Sequence, residues 1–98
     1  MAFDEEYDFN QLKNESELVV LQELERQLAL EGENLCRCSD CILDMAAMAF
    51  NAVRPKYRFS LLGSMYAAQA MEDPEYAASV RNAVATALAK VKANPSHD

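Results

Sequence analysis

The chain has 98 residues, with 16 acidic against 9 basic side chains and a formal net charge of -7. That length supports one domain, and that charge excludes the broad basic surface needed to bind duplex DNA or an anionic membrane. A hydrophobic content of 51% excludes a disordered chain, and only 2 Gly with few β-branched residues favour helix over sheet. A domain this small has a thin margin of stability, so a metal staple or a dimer interface would help it.

Residues 1–12 form an acidic leader carrying Phe3, Tyr7 and Phe9. It lacks the basic start and apolar run of a secretory signal. The longest apolar stretch downstream is too short for a bilayer. The sequence therefore reads as a soluble cytoplasmic protein. The leader is expected as a loose arm or a short helix docked by its rings. A helical domain then spans 13–94, with a tail at 95–98.

Asn14 with Glu17 three residues on makes a capping-box pattern, which predicts a helix from Asn14 to a stop at Gly32. Leu18, Leu21, Leu24 or Glu25, and Leu28 fall at helical spacing along it. Cys36, Cys38 and Cys41 follow in a C-x-C-x-x-C spacing. In a reducing compartment clustered thiols point to metal or redox chemistry. A turn at a helix N-terminus brings residues two and three apart onto one side, where thiolates can converge on zinc. Zinc takes four ligands as a rule, and the candidates for the fourth are Asp44, Asp40, His97, water or a group from another chain. Two other readings stay open: three reduced thiols that only pack, and a thiol redox switch.

A second helix is expected from about Ser39, capped by its hydroxyl, with Asp40 in the first turn. Ile42, Met45, Ala46, Ala49 and Val53 make one apolar stripe, and Cys41, Met45, Met48 and Ala52 an adjacent one. A helix apolar over most of its circumference is expected to be central. Asp44 and Asn51 read as structural polar groups, since buried polar atoms need partners. Asp44 would accept from amides of the cysteine loop and Asn51 would tie down the turn around Pro55; ligand contact is the alternative.

Arg54-Pro55 ends this helix and opens a compact basic turn of Arg54, Lys56, Tyr57, Arg58 and Ser60, with Arg37 upstream. A guanidinium can stack on a purine or fork onto a phosphate, and a small basic spot on an acidic protein suits a compact anion. The equal alternative is a solvated turn whose cations offset nearby acids. A third helix is expected over 60–72, with Gly63 permitting close approach of backbone or ligand. Asp73-Pro74-Glu75 restarts a last helix running to about Ala93. Its stripe is Tyr76, Val80, Val84, Ala87, Leu88 and Val91, with Lys90 and Lys92 at the C-terminal end. No strand-like alternation is seen. The expected fold is all-α, about four helices in one domain, with a cysteine-rich loop at the N-terminus of the central helix. Catalysis is not expected: the single His lies in the tail, and there is no nucleophile–base pattern or Gly-rich phosphate loop.

Taken together, Asn14 and Glu17, the cysteine motif through Asp44, the Ala-rich run into Asn51, then Pro55-Lys56-Tyr57, Ser60 and Gly63 resemble the late competence development protein ComFB family over residues 14–63. Arg54-Pro55 stands where that family often has Pro-Pro, and Arg58 replaces what is often an apolar residue. The resemblance implies a small cytosolic homodimeric helical regulator without enzymatic activity. It implies zinc on Cys36, Cys38 and Cys41. Some members bind cyclic di-GMP and link it to motility, competence or cell size. On that basis Arg54, Lys56, Tyr57, Arg58, Ser60 and Gly63 are the expected ligand-binding residues: arginine on guanine, Lys56 on phosphate, Tyr57 as a wall. The alternative is a zinc-stabilised adaptor in competence or motility regulation that binds a downstream regulatory protein and no nucleotide.

Overall fold

The computed structural model describes residues 2–59, 69 and 72–95. A short helix, α1 (Ala2–Glu6), and a 3-10 turn (Phe9–Gln11) open the chain. Each of the longer helices then begins where a side chain can cap it. Asn14 Oδ1 accepts the Ser16 amide at 3.2 Å and starts α2 (Glu15–Glu31). Asp73 Oδ1 accepts the Glu75 amide at 3.0 Å and starts α4 (Pro74–Ala93), with Pro74 pre-set for the first turn. The central helix, α3 (Ser39–Ala52), departs from expectation at this point. Its cap is Cys38, whose carbonyl accepts from Ile42 at 3.0 Å and whose sulfur accepts the Cys41 amide at 3.4 Å. Ser39 is the first helical residue.

Helix α2 stops at Gly32, whose φ of +65° and ψ of -127° few residues but glycine adopt. A β-carbon there would meet nothing within 4 Å, so the requirement is conformational rather than steric. Helix α3 ends at Ala52, with Val53 buried as its cap residue ahead of Arg54-Pro55.

Helix α3 packs against both α2 and α4, as its apolar circumference requires. The core joins Val20, Leu24 and Leu28 of α2, Cys41, Met45, Ala46 and Ala49 of α3, and the α4 stripe from Tyr76 to Val91. Each fully buried aliphatic side chain contributes about 1.5–3 kcal/mol. Between helices, Gln27 Nε2 donates to the Arg81 carbonyl at 3.1 Å.

The buried face of α2 is rotated from the expected stripe. Leu18 and Leu21 are 56% and 46% exposed, and Val20 takes their place in the core. The buried row is Ser16, Val20, Leu24 and Leu28, at i, i+4, i+8 and i+12. It begins with a serine whose hydroxyl bonds Asn14 Oδ1 at 2.8 Å, so the capped side of the helix is also its core side.

A third correction concerns strands. Lys13–Asn14 (β1) pairs antiparallel with Tyr57–Arg58 (β2), placing Lys13 opposite Arg58 and Asn14 opposite Tyr57. Two residues per strand are too few for alternation to register, and the fold remains all-α in class. The expected helix over 60–72, with Ser60 and Gly63, lies outside the described residues apart from Gln69 and Glu72, as does His97. Among the described residues no helix is long and apolar enough to cross a membrane.

Candidate functional site

The cysteine loop is fixed at both ends. At its start Leu35 is buried in the core. The Arg37 guanidinium donates to the Gly32 carbonyl at 2.9 Å and to the Leu28 carbonyl. These carbonyls belong to the C-terminal end of α2, which has no basic residue in its last turn. At its far end the loop enters α3 through the Cys38 cap. Arg37 therefore docks the loop segment that carries Cys36 and Cys38 on either side of it.

The three sulfurs lie within 4.8 Å of one another. Cys41 is fully buried, Cys36 half-buried and Cys38 exposed. A tetrahedral zinc site with Zn–S bonds of about 2.3 Å sets its sulfurs roughly 3.8 Å apart, so these thiols can converge on one ion with small side-chain adjustments. Among the described residues the cluster comprises Cys36, Cys38 and Cys41, without Asp40 or Asp44. Asp44 is half-buried in the next turn of α3. The three cysteines would hold the ion, and zinc there would supply a cross-link between the end of α2 and the start of α3.

The basic turn is built across the other end of α3. Asn14 does more than cap α2: its Oδ1 also accepts the Lys56 amide at 2.7 Å, and the Glu15 amide donates to the Lys56 carbonyl at 2.8 Å. Arg58 forms an ion pair with Glu15. The Tyr76 hydroxyl donates to the Arg54 carbonyl at 3.3 Å. Above the Tyr76 ring sit Lys56 Nζ, 4.9 Å from the centroid, and Arg54 Cζ, 5.8 Å from it, within cation–π range. Burial pushes the Tyr76 phenol up from its ordinary pKa, against the pull of the Arg54 charge and the Ser16 hydroxyl. Tyr57 is exposed.

The structure thus brings Arg54, Lys56, Tyr57 and Arg58 into one turn, at the opposite end of α3 from the thiols. Asn51 is not what ties that turn down; it is exposed on α3, on the side away from the Met45–Ala49 core face. Asn14, Glu15 and Tyr76 hold it. Sequence spacing missed Tyr76, noted only as one member of a stripe. The available signal was its hydroxyl, since a buried tyrosine needs a hydrogen-bond partner.

Replacing Asn14 by Ala should lower stability by about 2–3 kcal/mol. One part is the lost helix cap, the other the Lys56 amide left unpaired. Asn14→Asp keeps the acceptor and should retain most of it. Urea unfolding of both variants checks this, and a loss below about 0.5 kcal/mol in Asn14→Ala would contradict it.

A thiol cluster at the entry of the central helix and a cation-bearing turn at its exit define a small helical protein with a metal-capable centre. Against known families, the model of the late competence development protein ComFB matches residues 13–95. The chain belongs to that family. A solved structure of the late competence protein ComFB from Bacillus subtilis is similar to it, with a TM-score of 0.67 and 26% sequence identity, covering 87% of this chain and 94% of that one. Among curated protein sequences nothing matches.

Proposed function

We propose that this chain is a cytoplasmic, non-catalytic homodimeric regulator that binds a cyclic dinucleotide, cyclic di-GMP first, at the turn from Arg54 to Ser60. The observation that carries this reading is the placement of Arg54 and Lys56 over the single buried ring of Tyr76. The backbone beneath them is fixed by Asn14 and Glu15. Two cations ordered before a ligand arrives lose less entropy on binding it. A cyclic dinucleotide is a two-fold symmetric dianion, and two such turns in a symmetric dimer match its symmetry and charge. Arg54 stacks on guanine, Lys56 meets phosphate and Tyr57 walls the site. Arg58 is paired to Glu15 and supports the turn from below. Ser60 and Gly63, which follow in sequence, complete the proposed set of ligand-binding residues.

Calorimetric titration of protein of known metal content with cyclic di-GMP, cyclic di-AMP and GTP tests this. Selective binding near one ligand per dimer is the expected result. The double variant Arg54→Ala/Lys56→Ala should weaken it at least about a hundredfold, since each charge-assisted contact is worth about 1.5–3 kcal/mol. Helical circular dichroism should not change. Unaltered affinity in the variant would remove these residues from the site.

The second reading is a zinc-stabilised adaptor in competence or motility regulation that binds a protein partner and no nucleotide. The convergence of three sulfurs within 4.8 Å favours it. An absence of heat with all three nucleotides would decide for it.

A further inference from the structure

The geometry points to a docking surface for a basic amphipathic helix of a partner protein, on the face shared by the N-terminal arm and the outer side of α2. Leu18 and Leu21, displaced from the core, line a groove of about 800 Å³ together with Phe9, Leu12 and Tyr57. Phe9 and Leu12 also line an adjoining groove of about 370 Å³ with Phe3, Tyr7 and Phe59. The two grooves adjoin through their shared residues Phe9 and Leu12, with Asn10, Lys13, Glu15, Glu17 and Arg58 along the first of them. The arm's rings pack on one another, with centroids 5.2, 5.7 and 6.4 Å apart, and remain 46–61% exposed. The expectations for this leader were a loose arm or a short helix docked by its rings, and the rings are not among the core residues. Exposed apolar surface of this extent, rimmed by charge, marks an interaction site.

The charge around the grooves selects the occupant. Residues 2–12 carry Asp4, Glu5, Glu6 and Asp8 and no lysine or arginine. Within the groove Arg58 is paired to Glu15, and Lys13 is formally balanced by Glu17. The complement is a segment with an apolar stripe and lysines or arginines along its flanks. A second copy of this chain would bring two such acidic arms together, and an anionic bilayer would be repelled likewise. The partner's segment is helical, because β1 and β2 are two residues each and offer too little edge to template a strand, whereas an apolar groove takes a helix face at i, i+3, i+4 and i+7. The arm lies outside the residues 13–95 that the family model matches, whereas Leu18, Leu21, Tyr57 and Phe59 lie within them. The surface overlaps the proposed nucleotide site at Tyr57 and Arg58, with Phe59 in the same turn, whereas Phe3, Phe9, Leu18 and Leu21 lie outside that site.

The test uses the full chain and two fluorescently labelled synthetic peptides of identical Leu/Lys composition, about 18 residues long as befits helix-in-groove recognition. In one the leucines form a helical stripe; in the other the order is scrambled. By anisotropy at physiological salt, the striped peptide should bind at least tenfold more tightly. Leu18→Ser/Leu21→Ser and, separately, Phe3→Ser/Phe9→Ser should each erase that preference with helical circular dichroism unchanged. Equal binding of the two peptides, reflecting charge attraction only, overturns the proposal. So does a preference that survives both variants. Sedimentation in which either variant dissociates a self-associated chain also overturns it, because the face would then be occupied by a second copy.

Discussion

Replacing Tyr76 by alanine is expected to lower stability by about 3–5 kcal/mol, whereas Tyr76→Phe should cost about 1 kcal/mol. The ring is 2% exposed and among the largest fully buried side chains. Its removal leaves a cavity at the start of α4. It also removes the floor under Lys56 and Arg54 and the hydroxyl that satisfies the Arg54 carbonyl. Phenylalanine restores everything except the contacts of the hydroxyl, its 3.3 Å hydrogen bond to the Arg54 carbonyl and its interaction with the Ser16 hydroxyl. Small domains have about 5–15 kcal/mol in total, so the alanine variant should approach unfolding at 37 °C while the phenylalanine variant folds normally. Urea unfolding of the two variants gives the answer. Equal losses in both would place the stabilisation in the hydroxyl; a loss under about 1.5 kcal/mol in the alanine variant would mean the ring is not the support of the turn. Because Tyr76→Phe keeps the ring, it should also keep any nucleotide affinity, which separates support of the turn from direct recognition.

What was legible in the sequence was local. Asn14, Gly32, Arg54-Pro55 and Asp73-Pro74 mark helix ends, because caps, positive φ and proline act within a turn of the chain. The α4 stripe was legible because its apolar residues outnumber its polar ones along one row. The α2 face was not. Its true row starts at Ser16, a polar residue buried by its bond to Asn14, and an equally regular row of leucines competes with it. Cys38 was passed over as a cap because the hydroxyl of Ser39 beside it is the stronger acceptor in general. The turn's supports were illegible for another reason: Tyr76 reaches Arg54 across 22 residues and Glu15 reaches Arg58 across 43. Periodicity carries no information about pairs so far apart. Arg37 shows the same limit, since its partners are carbonyls at the end of another element. The three thiols were the part of the site that spacing alone could place together.

Stripping zinc from metal-loaded protein should lower its melting temperature by roughly 15–30 °C. An ion held at about a thousand times its dissociation constant adds about 4 kcal/mol, and in a domain of this size each kcal/mol moves the midpoint by roughly 4–8 °C. The cluster joins the end of α2 to the start of α3, two elements that otherwise meet there through Arg37, Leu35 and the helix cap. The cysteine chosen for mutation decides what the experiment means. Cys41 is 0% exposed, so a serine there buries a hydroxyl and destabilises whether or not metal binds. Cys38 is exposed and is the N-cap of α3, accepting the Cys41 amide through sulfur. Serine is a strongly preferred N-cap residue, so in a protein whose thiols merely pack, Cys38→Ser should be neutral or slightly stabilising. In a metal-held protein the same change removes a ligand and should bring the melting temperature down to that of the stripped wild type. It should also make it insensitive to chelator. The comparison therefore needs only two proteins, each melted with zinc and with chelator. Wild type falling steeply and Cys38→Ser starting low and staying there establishes the metal. Four coincident melting temperatures would return the three thiols to packing.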